Sequence, residues 1–203
     1  MAVGPTMNAA IRAPLKIYLI RHGETAWSLS GQHTGRTDIA LTENGERQAR
    51  GMVERLVGVD FTRIFTSPRQ RAQQTYALSG LKPVGEIEAD LAEWDYGDYE
   101  GQRSVDIRTT RPGWNIFRDG CPNGESPSQV TARADRLIAR LRAMHSSVAV
   151  FTHGHFGSVL IARWIDVPLT HAANFPLSTA SVSVLSVATN HPEVPIIALL
   201  NSS

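Results

Sequence analysis

Leu15-Lys16-Ile17-Tyr18-Leu19-Ile20-Arg21-His22-Gly23-Glu24-Thr25 is the stretch that decides the fold. Its first six residues are bulky, partly β-branched and carry one charge, the make-up of a buried strand. The run stops abruptly at Arg21-His22-Gly23 and so delivers a guanidinium and an imidazole to the strand's C-terminal end, where open α/β sheets place their chemistry.

Working outward, the same unit recurs. Residues 61–66 read as a second strand, Ser67-Pro68 breaks it, and a helix is expected over 69–78 with Pro68 near its first turn. Residues 147–152 read as a third buried strand ending in His153-Gly154-His155, followed by a helix over 156–164. Thr42, followed by Glu43 and Glu46, caps a helix expected to run to about residue 57, with Ala49, Met52, Val53 and Leu56 at helical spacing. The clearest amphipathic helix covers 126–144: Val130, Ala134, Leu137, Ile138 and Leu141 form one stripe, and Arg133, Arg136, Arg140 and Arg142 read as a solvated face. A short edge strand is expected over 83–88 and terminal strands over 180–187 and 195–200. Residues 90–125 read as irregular, punctuated by seven Gly and Pro residues from Gly97 to Gly124. An ordered loop region of that length usually has a function.

The bulk properties restrict the partners. A chain of 203 residues with 42% apolar side chains can bury one sizeable core, so a single domain is expected over residues 15–203. Residues 1–14, small, polar and Gly/Pro-containing, read as a disordered tail or one left over from cloning, and the apolar run after them is too short for a signal peptide or a membrane span. The formal charge of +1 calls for neither a nucleic acid nor an anionic membrane as partner. The single Cys121, without a Cys/His cluster of zinc spacing, supports neither a disulfide scaffold nor a structural metal site and fits a reducing cytoplasm.

Four separated elements carry chemistry: Arg21-His22-Gly23-Glu24-Thr25; Ser67-Pro68-Arg69-Gln70-Arg71-Ala72-Gln73-Gln74-Thr75; Leu91-Ala92-Glu93 with Tyr96-Gly97-Asp98-Tyr99-Glu100-Gly101; and Thr152-His153-Gly154-His155. Any one alone reads as a turn or packing segment, but in this order they resemble the histidine phosphatase superfamily, over residues 16–164. The resemblance implies a three-layer α/β/α sandwich with a mostly parallel central sheet, as in phosphoglycerate mutase. It makes His22 the nucleophile, Arg21, Arg71 and His153 the phosphate pocket, and Glu93 the proton donor and acceptor, with no metal or other cofactor. The substrate contacts it implies are Arg21, Ser28, Thr34, Gly35, Arg71, Glu93, His153, Gly154 and His155. His33 is an open candidate beside them.

Physical chemistry supports those roles independently. A neutral imidazole can attack phosphorus through one nitrogen if the other donates its proton to a fixed acceptor. The transferring phosphoryl group spreads charge over three oxygens, which guanidinium forks and a donor imidazole can stabilise. A sugar alkoxide leaves poorly, so a carboxylic acid should protonate it and afterwards, as carboxylate, deprotonate the attacking water.

Two longer strings, residues 27–38 and 114–125, resemble the yeast-type sedoheptulose 1,7-bisphosphatase group, which favours a sugar phosphate or similar small phosphate ester. Ser28 stands where many superfamily members carry Asn. A phosphoglycerate mutase and a non-catalytic phosphate-binding module are the competing readings, and a monomer or homodimer is expected. Trp164 reads as core packing; Trp94, Trp114 and Phe117 could be packing or a sugar platform.

Overall fold

The computed structural model describes residues 15–203, and the tail expected over 1–14 lies outside them. The strands are β1 (Lys16–Arg21), β2 (Phe61–Thr66), β3 (Gly85–Ile87), β4 (Ser147–Thr152), β5 (Val182–Ala188) and β6 (His191–Ser202). They form one six-stranded sheet in the order β3-β2-β4-β1-β5-β6. The first four in that order run parallel, while β5 and β6 are antiparallel to their neighbours. The α-helices are α1 (Ala26–Ser30), α2 (Glu43–Gly51), α3 (Val53–Leu56), α4 (Gln70–Leu78), α5 (Ser104–Thr110), α6 (Ile116–Asp119), α7 (Pro127–Arg142) and α8 (Gly154–Trp164).

The period of two in the buried strands sorts side chains between two layers. Ile17, Leu19, Val148 and Val150 pack under α7 and α8, whereas Ile20, Ile64, Ala149 and Phe151 pack against Met52, Leu56 and Ala72 of the segment from α2 to α4. The result is a three-layer α/β/α sandwich. Trp164 is fully buried, and its indole N–H reaches the carbonyls of Ser186 and Ile196 at 3.1 and 3.2 Å.

Several elements differ from their expected extents for identifiable reasons. The helix expected to run unbroken to about residue 57 is interrupted at Met52, next to Gly51, a poor helix former. The terminal strand expected over 195–200 extends from His191 to Ser202 at the open edge of the sheet, where the missing N–H groups of Pro192 and Pro195 are tolerated. The region expected to be irregular contains α5 and α6. Arg133 departs from the solvated face expected of it. Its side chain is only 12% exposed, forks onto both oxygens of Glu125 at 2.9 and 2.7 Å, and donates to the carbonyls of Asp90 and Ala92 at 2.8 and 2.7 Å. Arg133 thereby ties α7 to the segment that ends in Glu93.

The turn after β1 packs directly on the first turn of α2. A Cβ on Gly23 would lie 2.5 Å from the Gly45 carbonyl oxygen, and one on Gly45 would lie 2.1 Å from that of Glu24, so backbone meets backbone at both positions. Thr42 completes the joint by accepting the Gly45 N–H at 3.0 Å and donating to the Glu24 carboxylate at 2.7 Å.

Candidate active site

The C-terminal ends of β1, β2 and β4 converge, and their backbones are spliced beyond the last strand residues. The His22 N–H donates to Thr152 at 3.0 Å, the Ser67 N–H donates to Phe151 at 2.9 Å, and the His22 carbonyl accepts from Ala180 at 3.0 Å. His22 is held by β4 on one side and by the approach to β5 on the other.

The His22 ring is 5% exposed, with Nδ1 2.7 Å from its neighbour's carbonyl, that of Gly23. A carbonyl only accepts, so Nδ1 carries the proton and Nε2 keeps a lone pair. Burial, reinforced by the charges of Arg71 and Arg21, holds the His22 pKa well below the ordinary imidazole value. The ring therefore stays neutral on acidification through the range in which a free histidine becomes charged. In an NMR titration its ring signals should show no step where a free histidine titrates, near pH 6.5; a step there would contradict the environment described.

Arg21 and Arg71 approach His22 differently. Arg21 projects from the end of β1 across Gly154 and donates to the Leu177 carbonyl, while its buried Nε has no hydrogen-bond partner. A buried guanidinium N–H without an acceptor is uncommon in native structures. Arg71 is fully buried and donates to the carbonyls of Thr34 at 2.8 Å and Thr37 at 3.1 Å and to His153 Nδ1 at 3.2 Å. The Glu100 carboxylate keeps those carbonyls in place by accepting the N–H groups of Gly35 and Thr37, each at 2.9 Å.

Since His153 Nδ1 accepts from Arg71, its ring proton lies on Nε2 and is donated to Ser67 Oγ at 2.7 Å. Both ring nitrogens are thus engaged with protein, and the ring stands edge-on to His22 at a centroid distance of 5.2 Å. Burial and Arg71 hold the His153 pKa well below its ordinary value.

Glu93 sits where the first turn of α8 presents its unpaired N–H groups. Its Oε1 accepts from Trp94 and Phe156, both at 2.8 Å, and its Oε2 accepts from His155 at 3.1 Å. Glu93 is therefore the cap of α8, supplied from a distant part of the chain. This explains why α8 begins at Gly154 although its own sequence holds no cap signal.

These elements enclose a cavity of ≈ 430 Å³, a volume suited to a small metabolite. Of the residues singled out in the sequence, Arg21, His22, Ser28, Thr34, Glu93, Gly154 and His155 line it. Arg71 and His153 are packed together behind His22 and are not part of that lining. Gly35 lies outside the cavity, with its N–H committed to Glu100. The Ser28 hydroxyl closes the capping box of α1, accepting from the Thr25 N–H at 2.9 Å and donating to the Thr25 carbonyl at 3.0 Å.

The rest of the wall combines residues of the motifs and strings already quoted with others, such as Ser104 and Arg108, that belong to none. Tyr96 Oη lies 2.6 Å from His155 Nδ1, and burial raises the Tyr96 pKa well above its ordinary value, so the hydroxyl keeps its proton. A protonated hydroxyl can donate or accept, so the direction of this bond follows the His155 tautomer. His33 stacks on Tyr96 at 4.5 Å, and burial lowers both His33 and His155 to about 4. Gln32, Ser104, Arg108, Asn115 and Ser158 complete the polar part of the lining, and Trp114 and Phe117 the aromatic part.

A strand-borne RHG turn, one buried and one half-buried guanidinium, paired histidines and a helix-capping glutamate on this sheet define a phosphate-handling α/β enzyme, and comparison with known proteins gives the family. The chain belongs to the histidine phosphatase superfamily (branch 1), which it matches over residues 17–198. It is 43% identical over 174 residues to an acid phosphatase of Mycobacterium tuberculosis, covering 83% of this chain and 85% of that protein. It is 40% identical over 182 residues to the sedoheptulose 1,7-bisphosphatase of Saccharomyces cerevisiae, covering 73% of this chain and 67% of that one. Its fold superposes with a TM-score of 0.87 on a solved structure of a Mycobacterium tuberculosis open reading frame, at 38% identity over 93% of this chain and 97% of that one.

Proposed function

We propose that the chain hydrolyses a small phosphorylated metabolite, a sugar phosphate or bisphosphate, through a phosphohistidine at His22. The observation that carries this reading is the Nδ1–H bond from His22 to the Gly23 carbonyl at 2.7 Å, which leaves Nε2 as a nucleophile beside a guanidinium with an unpartnered Nε. One domain spanning residues 15–203 carries the activity, as a monomer or homodimer. Among the described residues no helix is long and apolar enough to cross a membrane. The cytoplasmic setting rests on the sequence, whose single Cys121 cannot form an internal disulfide.

In the first step the Nε2 lone pair of His22 forms a bond to phosphorus while the ester P–O bond breaks. The leaving oxygen takes a proton from Glu93. Oε1 of that carboxyl already accepts two N–H groups, whereas Oε2 accepts one, so Oε2 is the oxygen free to hold the proton. Arg21 and Arg71 balance charge on the transferring oxygens, and His153 keeps Arg71 in place. The phosphorylated ring is cationic, and its Nδ1–H remains bonded to the Gly23 carbonyl. In the second step water attacks phosphorus, Glu93 Oε2 takes its proton, the N–P bond breaks, and neutral His22 and inorganic phosphate result. The neutral imidazole of His155 and the polar wall of Gln32, Ser104 and Asn115 suit a hydroxylated ligand, as does the yeast relative, a sedoheptulose 1,7-bisphosphatase.

The test is phosphate release from sugar mono- and bisphosphates, 3-phosphoglycerate and an aryl phosphate, with and without EDTA. Release from a sugar phosphate at the same rate in EDTA is the expected result. Release from nothing in the panel, or release that disappears with chelator, would overturn the proposal.

A further inference from the structure

The cavity wall contains a second cation that the chemistry at His22 does not use. Arg108 projects from α5 into the lining, and its Nε donates to the Trp114 carbonyl at 3.0 Å. Trp114 is itself buried and pinned by its indole N–H to the Gly120 carbonyl at 2.9 Å. The root of the guanidinium is therefore held by a rigid acceptor. The two terminal nitrogens form no hydrogen bond or ion pair among the described residues, whereas Arg103, just before the same helix, is paired with Asp106.

The electrostatics of the wall point the same way. Arg21 and Arg108 are its arginines, and Glu93 is its one carboxylate, already engaged by three backbone N–H groups. Arg21 lies against Gly154, the residue before His155, whereas Arg108 stands one helical turn after Ser104, whose hydroxyl is 3.2 Å from His33 Nε2; the His155 and His33 rings are 5.5 Å apart. A ligand with its reacting phosphate at Arg21 and His22 and its carbon chain beside His155 and His33 would bring its far end to Arg108. Ser104 and Asn115 flank Arg108 in the lining and offer neutral donors there.

We propose that Arg108 forms a second anion subsite, which selects phosphate esters carrying another anionic group, a phosphate or a carboxylate, at the opposite end of a short polyol chain. The proposal rests on the reading of this cavity as the substrate site. Arg108 would bind through charge-assisted N–H···O bonds from its terminal nitrogens, favouring such substrates through KM more than through kcat.

The experiment compares wild type, Arg108→Gln and Arg108→Lys on a sugar bisphosphate, the matching monophosphate and 3-phosphoglycerate. In the glutamine variant the preference for bisphosphate over monophosphate in kcat/KM should fall about tenfold, mostly through KM, the size of one lost charge-assisted bond; the lysine variant should regain part of it. A loss shared equally by both esters would show that Arg108 merely supports the fold and would overturn the proposal, as would an unchanged preference. A preference lost for 3-phosphoglycerate but not for the bisphosphate would assign the carboxylate as the recognised group, and the reverse the phosphate. Calorimetric binding to His22→Ala, with and without Arg108→Gln, separates the subsite from the chemistry. If the His22→Ala protein binds the bisphosphate no more tightly than the monophosphate, the subsite is wrong even though hydrolysis stands. If it binds the bisphosphate more tightly but the wild type releases no phosphate, the subsite stands and the hydrolytic reading fails.

Discussion

Replacement of His22 by alanine is expected to lower phosphate release from every substrate by at least about 10⁴-fold, the scale on which removal of a covalent nucleophile acts. The effect should be uniform across leaving groups, because His22 is the imidazole whose tautomer a carbonyl fixes, leaving the lone pair on Nε2. His155 and His33 also line the cavity, but their partners, the hydroxyls of Tyr96 and Ser104 at 2.6 and 3.2 Å, can donate or accept and so fix neither ring's tautomer. Folding should survive: the ring's hydrogen bond is local, to Gly23, and the backbone bonds of His22 to Thr152 and Ala180 do not depend on the side chain. A phosphate-release assay with circular dichroism of the same sample checks both points. A well-folded variant keeping more than about a hundredth of the activity would contradict nucleophilic attack by this residue.

Glu93→Gln should separate the two half-reactions. With an alkyl leaving group, loss of the proton donor is expected to slow turnover by about 10²- to 10⁴-fold. With an aryl phosphate, whose leaving oxygen needs little protonation, the first step should proceed, while the water that attacks the phosphohistidine lacks its base. The variant should then show a burst of phenol equal to the enzyme concentration, followed by slow turnover, in a stopped-flow assay. The amide also alters the cap of α8. With its oxygen placed to accept from Trp94 and Phe156, its NH₂ group faces the His155 N–H, so a stability loss of about 1 kcal/mol should accompany the kinetic change. Equal slowing on alkyl and aryl esters with no burst would mean that Glu93 serves the fold rather than proton transfer.

The parts of the fold legible in the sequence were those encoded locally. The apolar runs of β1, β2 and β4, the Thr42 cap and the stripe of α7 each announce themselves within about ten residues. The start of α8 did not, because its cap is Glu93, some sixty residues earlier in the chain. Arg133 read as a solvent-facing arginine because helical spacing locates a residue on a helix but not the loop that folds over it, here the carbonyls of Asp90 and Ala92. The prolines in β6 disguised a long edge strand as a short one.

The site divides the same way. Arg21, His22, Arg71, Glu93 and His153 stand out because they occur in compact motifs at the ends of regular elements. Arg108 belongs to no motif, and only the folding of residues 90–125 over the strand ends brings it to the cavity. Gly35 lay in a motif-like string, but its backbone N–H binds Glu100 and supports the Thr34 and Thr37 carbonyls that hold Arg71, so the structure places it behind the site rather than in its wall.

The central claim is a covalent bond between phosphorus and His22 Nε2. The most direct measurement is an alkaline quench of the Glu93→Gln protein within its burst on an aryl phosphate, followed by peptide mass spectrometry. Phosphohistidine is stable in base and hydrolyses in acid. The account predicts one added phosphoryl group per chain on the peptide containing His22, lost on acidification and absent when His22 is also replaced. A protein that turns over the ester yet never carries an acid-labile phosphoryl group, or carries it at another residue, would contradict it.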